Sequence, residues 1–323
     1  MVSVPTVRGP VSVDDLGVTL MHEHIFVLST EIIENDPELW GDEKSRIADA
    51  IERLNLLKTQ GVDSIVDLTV IGLGRYIPRI QRIAERTNIN ILVATGLYTY
   101  NEVPMHFHMR GPGRPFGGPE RMTELFVRDI EKGIGDTGVK AAILKCATDK
   151  QGISRGVDRV LRAVAQAHRQ TGVPISTHTH ALSRSGLEQQ RIFLEEGVDL
   201  TRVIIGHSGD TTDLDYLEEL IANGSYLGMD RFGVDTILSF EQRVETVARM
   251  CAKGYAGRMV LSHDAACFND WIPEDSMKSV FPRWNYQHIF NDVIPALKSH
   301  GVTDDDLKKM LVENPRDIWS AAT

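Results

Sequence analysis

The chain has 323 residues, 42% hydrophobic and 25% charged, with a formal net charge of −10; this is ordinary globular usage in a length that fits two domains or one large α/β barrel. The acidic balance, with no basic cluster, excludes a nucleic-acid footprint, and no apolar run reaches the roughly 18 residues of a membrane span. Three cysteines, Cys146, Cys251 and Cys267, suit reduced thiols in a cytoplasm, and Met1 to Pro5 carries neither the basic nor the apolar region of a signal peptide.

The first strand is Val18-Thr19-Leu20-Met21-His22-Glu23-His24. Strand side chains alternate faces, so His22 and His24 point one way and Glu23 the other. Asp42 to Gln60 reads as a helix, with Ile47, Ile51, Leu54 and Leu57 at helical spacing and Gly61 as its stop. Strand Ser64–Leu68 and helix Tyr76–Arg86 follow, then strand Ile91–Thr95, a proline- and glycine-rich loop from Tyr98 to Pro119 read as irregular, and helix Glu120–Lys132. The second half repeats the beat. Strands Val139–Lys145, Pro174–His178, Arg202–His207, Tyr226–Asp230 and Met259–Ser262 alternate with helices Arg155–Gln170, Gly186–Glu196, Asp213–Ala222 and Ser239–Lys253. After an aromatic loop come helices Trp284–Ser299 and Asp304–Leu311. Eight β-then-α units without a linker predict one (β/α)8 TIM barrel spanning 1–323. A doubly wound sheet is disfavoured because no Gly-x-Gly-x-x-Gly follows the first strand.

Barrel enzymes place their chemistry at the carboxyl ends of the strands. Those ends carry His22 and His24, Lys145, His178, His207 and Asp264. Imidazoles and a carboxylate in this register are ligands for zinc or a similar divalent ion; solvent-facing polar ends would not select imidazole. Lys145 is the odd member. An ammonium has no lone pair, but desolvation beside metals favours the neutral amine, which can add carbon dioxide to become an anionic carbamate. A salt-bridged or substrate-binding lysine is the alternative, and spacing alone leaves both open.

Leu20-Met21-His22-Glu23-His24, Leu144-Lys145, Ser176-Thr177-His178-Thr179, Ile205-Gly206-His207-Ser208-Gly209-Asp210, Ser262-His263-Asp264 and the closing Val312-Glu313-Asn314-Pro315 resemble, in order, the motifs of the phosphotriesterase family of the amidohydrolase superfamily. Within it the chain is most similar to the phosphotriesterase-like lactonases that quench quorum sensing. The resemblance implies two divalent metals per subunit (zinc, or cobalt, manganese or iron). His22, His24 and Asp264 would hold one, His178 and His207 the other, with an N6-carboxylated Lys145 and a hydroxide bridging them. It also implies a homodimer, and hydrolysis of the lactone ring of N-acyl-homoserine lactones with weak promiscuous phosphotriesterase activity. A dedicated phosphotriesterase or another esterase on the same centre is the alternative. Asp264 would take the proton of the attacking hydroxide. Asp210, three residues after His207, is either a relay partner or a surface turn residue.

Tyr98 and Arg231 match positions where lactonases of the family carry Tyr and the paraoxon-degrading enzymes carry Trp and His; together with Tyr100 they are read as catalytic or substrate-binding. Phe268 and Trp271, in the loop from Ala265 to Arg283, would either line an acyl-chain channel or pack the loop down. His106 and His108 lie in the irregular loop and are left outside the ligand set. His180 has the spacing with His178 but falls past the strand end, where the family commonly has a small residue, and is also left outside. His263 is expected to face away from Asp264, Cys267 to be a buried structural thiol, and Cys146 to face the helices.

Overall fold

The computed structural model describes residues 2–320; the ends of the expected 1–323 domain lie outside them. The strands are β1 (Ser3–Thr6), β2 (Gly9–Ser12), β3 (Thr19–Glu23), β4 (Phe26–Val27), β5 (Ser64–Asp67), β6 (Asn90–Gly96), β7 (Ile143–Ala147), β8 (Ile175–His178), β9 (Val203–Ile205), β10 (Tyr226–Met229), β11 (Met259–Leu261) and β12 (Phe268–Asn269). Strands β3 and β5 to β11 form one parallel sheet in sequential order. Its two edges meet where His22 N donates to Ser262 Oγ (2.8 Å), Asp264 N to the His22 carbonyl (3.0 Å) and His24 N to the Ala265 carbonyl (2.9 Å). These bonds close the sheet into the expected (β/α)8 barrel.

Side-chain alternation sorts each strand into two cores. Val66, Leu92, Ala94, Ile143, Ile204 and Val260 fill the barrel interior, together with Met21. Their neighbours Ile65, Ile91, Val93, Leu144, Val203, Ile205 and Leu261 pack outward against the helices. The helices begin where side chains cap their free N–H groups. Asp42 accepts from Ser45 N, Ser154 from Val157 N and Asp213 from Tyr216 N, and Ser239 forms a capping box with Gln242. The helix Glu43–Thr59 ends ahead of Gly61 at φ 94°, a left-handed position that glycine fills without strain.

Most boundaries fall within two residues of expectation; a short helix, Thr30–Asn35, is an addition, and several other regions differ. Strand β7 starts at Ile143 rather than Val139: Ala141 N bonds the Asp129 carbonyl outside the sheet, and contact with β6 begins only where Ala142 N reaches the Val93 carbonyl. Lys145 is therefore the middle residue of its strand, facing inward with Ile143. The loop after Tyr98 contains a short helix, Met105–Met109, anchored by Arg159, which donates to the Phe107 and Arg110 carbonyls and pairs with Glu120. The segment after β11 holds β12, paired in parallel with β4, and a helix, Glu274–Val280. Finally, regular helix begins at Ile289 rather than Trp284, opening with a wide turn, and the last helical run continues through Asn314–Ser320. The β1–β2 hairpin was not anticipated. It closes the amino-terminal end of the barrel, where Val4, Val13, Leu16 and Trp319 join the interior core.

Candidate metal centre

At the carboxyl end of the barrel, His22 Nε2 and His24 Nε2 each lie 3.2 Å from Asp264 Oδ1. His207 Nε2 is 2.8 Å from His178 Nδ1 and 3.7 Å from Asp264 Oδ2. Lys145 Nζ lies 3.1 Å from His22 Nε2. A tetrahedral sphere with bonds of about 2.0–2.1 Å spaces its donors about 3.3 Å apart, so these separations suit ligands converging on shared cations. All six residues expected from the sequence come together. Two stand in strained backbone: His207 has φ 62° and Asp264 φ 56°, left-handed values that are costly outside glycine and cluster at functional sites.

The imidazoles are held ready as ligands. Burial, with Lys145 nearby, pushes His22 down to about 3, and burial beside His207 and Arg231 holds His178 well below the usual histidine range. Both are neutral at pH 7, as metal ligation requires. Their orientation comes from behind. Asp230 accepts from His22 Nδ1 (2.8 Å) and from both the Nδ1 (2.9 Å) and backbone N (2.8 Å) of His207. Burial alone would raise Asp230, yet His207 and His22 hold it far below the ordinary carboxylate range. A carboxylate on Nδ1 fixes the tautomer and frees Nε2 for metal. His24 Nδ1 is engaged in the same way by Thr69 Oγ1 (2.8 Å), which in turn contacts Asp67.

Asp230 was not singled out in the sequence, although the signal was there. It ends strand Tyr226–Asp230 with the inward parity of Tyr226 and Gly228. A Cβ at Gly228 would overlap Asp230 Oδ2, and one at Gly206 would overlap the Thr177 carbonyl; both glycines make room for the centre. Glu23 faces outward as alternation requires. It accepts from His263 Nδ1 (2.7 Å) and from the backbone N of His263 and Ala265, so His263 is turned away from Asp264 and braces the barrel seam.

Lys145 is 1% exposed, and its Nζ contacts the Thr177 carbonyl (3.3 Å) besides His22. Among the described residues no carboxylate lies within 4.0 Å of it, so the salt-bridge alternative has no partner. Burial lowers its pKa to about 8.

The family model described as the phosphotriesterase family matches residues 2–319. The chain belongs to the phosphotriesterase family. The phosphotriesterase homology protein of Mycobacterium tuberculosis is 66% identical over 319 residues, 99% of this chain and 98% of that one. The aryldialkylphosphatase of Saccharolobus solfataricus is 39% identical over 309 residues, 95% and 96% of the two chains. A solved structure, described as the phosphotriesterase from Mycobacterium tuberculosis, matches with a TM-score of 0.97 at 66% identity over 98% of each chain. This phosphotriesterase-family chain is thus a hydrolase with a metal-binding site, and the family works with a dinuclear centre.

Around the centre of this family member, Arg231 links two acids: Nε donates to Asp264 Oδ2 (3.1 Å) and Nη1 to Asp210 Oδ2 (3.0 Å). Asp210 is 4% exposed and also receives Arg243 Nη1 at 2.6 Å, which removes the surface-turn alternative. Asp210 and Asp264 raise Arg231 above the ordinary arginine range against the effect of burial. The Tyr98 hydroxyl lies 3.2 Å from His178 Nδ1 and bonds the Tyr100 hydroxyl, which is 3.4 Å from His178 Nε2. Burial and Tyr100 push Tyr98 well above its usual value, so it stays a neutral donor. Trp271 stands at the rim, its ring 6.0 Å from that of Tyr98 and its Nε1 donating to Ser29.

Phe268 is not brought to this mouth. Pairing of β12 with β4 turns its ring against Trp40 (5.5 Å), with the Arg46 guanidinium 3.8 Å above it. His180 bonds Ser183 and stays outside the cluster; His106 and His108 are exposed on their short helix. Cys267 is buried against Tyr286, and Cys146 packs outward in the helix-facing core; burial pushes both thiols up to about 12. Among the described residues no helix is long and apolar enough to cross a membrane.

Proposed function

We propose that this hydrolase opens the lactone ring of N-acyl-homoserine lactones, with phosphotriester hydrolysis as a weak by-product, and that it works as a homodimer in the cytoplasm. The observation that carries the reading is the Tyr98 hydroxyl beside His178, opposite Arg231 on Asp264: a neutral donor and a fixed cation flank the donor cluster where an ester carbonyl would sit. His22, His24 and Asp264 would hold one divalent ion and His178 and His207 a second, zinc being suited to this nitrogen-and-oxygen set. Lys145 would join them as N6-carboxylysine: its amine adds carbon dioxide, loses a proton, and replaces a buried cation that has no carboxylate partner by an oxygen ligand. The two metals, when bound, supply Lewis-acid polarisation of the carbonyl and acidify the attacking water. The chain's own residues do the rest. Asp264 accepts the proton of that water and passes it to the alkoxide released when the ring C–O bond breaks. Arg231 keeps Asp264 oriented, and the Tyr98 hydroxyl donates to the carbonyl oxygen as charge develops on it. Trp271 at the rim offers apolar surface to the start of an acyl chain. Three free cysteines support a reducing compartment.

A second reading, a dedicated phosphotriesterase, is favoured by the name of the Saccharolobus solfataricus relative, aryldialkylphosphatase. A substrate panel separates the two. Each buried methylene is worth about 0.8 kcal/mol, near fourfold in binding, so kcat/KM for lactones should rise with acyl length, and Trp271→Ala should flatten that rise while sparing short lactones. Tyr98→Phe should lower kcat at every length. A flat length profile with paraoxon hydrolysed as fast as any lactone would establish the second reading instead.

A further inference from the structure

Opposite the metal centre, beneath the amino-terminal ends of β7, β8 and β9, lies a cavity of about 550 Å³, within the roughly 300–1,000 Å³ of small-molecule sites. The β1–β2 hairpin roofs it through Val4, Pro5 and Pro10, and Ala142, Pro174 and Trp319 complete its apolar wall. Trp319 Nε1 is already committed to the Ala142 carbonyl at 2.9 Å, so the indole presents apolar ring rather than a donor.

Into this wall is set Arg202. It is 5% exposed, and its Nε and Nη1 are buried with no hydrogen-bond partner. No carboxylate lies within 4.0 Å of it among the described residues. The acid three residues before it, Asp199, accepts from Thr201 N (3.0 Å) and Oγ1 (2.8 Å) through Oδ1 and makes no ion pair with Arg202 within that distance. Buried guanidinium donors are normally satisfied, and each exception calls for a partner. Lys140 also lines the cavity, exposed and outside any ion pair among the described residues, and no Asp or Glu lines it. In a chain of net charge −10, a chamber with two cations and no acid is selective for an anion.

We infer that this cavity is a binding site for an aliphatic carboxylate, its head group on Arg202 and its chain along the Trp319 wall. A planar guanidinium matches a carboxylate's two oxygens, while the apolar surround favours a hydrocarbon tail over a bare inorganic anion. The site is separate from the histidine cluster, and its inference does not depend on the lactonase reading.

Calorimetric titration of the metal-loaded protein with octanoate tests it. Wild type should bind octanoate at least tenfold more tightly than acetate or 1-octanol, because each lacks one half of the recognition. Arg202→Met, which keeps the side chain's bulk, should weaken octanoate at least tenfold with turnover unchanged. A crystal soaked with 8-bromooctanoate should show bromine beside Trp319; this, with a weakened Lys140→Ala, decides the matter if Arg202→Met fails to fold. Equal octanoate affinity in Arg202→Met, acetate binding as tightly as octanoate, or bromine only at the metal face would overturn the inference.

Discussion

Lys145→Ala loses bound metal and activity together, and propionate or acetate restores part of both. The side chain is fully enclosed between His22 Nε2 and the Thr177 carbonyl, so an alanine leaves a cavity shaped for a short carboxylic acid in place of the proposed carbamate. A Lewis-acid metal contributes several kcal/mol to the reaction barrier, and about 1.4 kcal/mol is a factor of ten; kcat should therefore fall by about a hundred- to thousandfold. Metal content by elemental analysis and turnover are measured on one preparation, with and without added acid. Lys145→Met separates the effects, because it fills the space without offering an oxygen and should show no rescue. A Lys145→Ala protein that keeps its metal and its turnover would remove the lysine from the ligand set.

Asp230→Asn is the second large effect, although Asp230 touches neither lysine nor substrate. Its carboxylate accepts three bonds, from His22 Nδ1 and from His207 Nδ1 and N; bonds to a charged group contribute about 1.5–3 kcal/mol each. An amide has only one oxygen to accept with, and its NH2 would face an imidazole N–H, turning at least one ring into the wrong tautomer. Metal affinity should fall about 10–100-fold, read by competition with a chromophoric chelator, while thermal unfolding of the metal-free protein moves far less. Unchanged metal affinity would show that the rings are oriented by their packing alone.

The barrel was legible because its signals are periodic. Apolar runs alternating with amphipathic helical stretches place all eight strands, and the same register places His22, His24, His178, His207 and Asp264. What escaped lies where periodicity is silent. The β1–β2 hairpin contains Pro5 and Pro10 and no alternating apolar pattern, so only its tertiary role beneath the barrel makes it a strand pair. Composition leaves Phe268 either in an acyl-chain channel or packing its loop down, and the two-residue pairing with β4 decides for packing by directing it sideways into Trp40 and Arg46. Asp230 differs again: its inward parity is readable, but an acid after a short strand gains meaning only when His22 and His207, both earlier in the chain at other strands, are seen to converge on it. Arg202 and its cavity have no sequence pattern at all, since a guanidinium without a partner is a property of three-dimensional packing.

The measurement closest to the central claim is the count of divalent metal ions on the purified protein, taken beside hydrolase activity through a cycle of chelation and reloading. The convergence of His22, His24, His178, His207, Lys145 and Asp264 predicts close to two ions per chain, loss of activity on chelation, and its return with zinc, cobalt or manganese. Full hydrolase activity in a rigorously metal-free preparation would contradict the account.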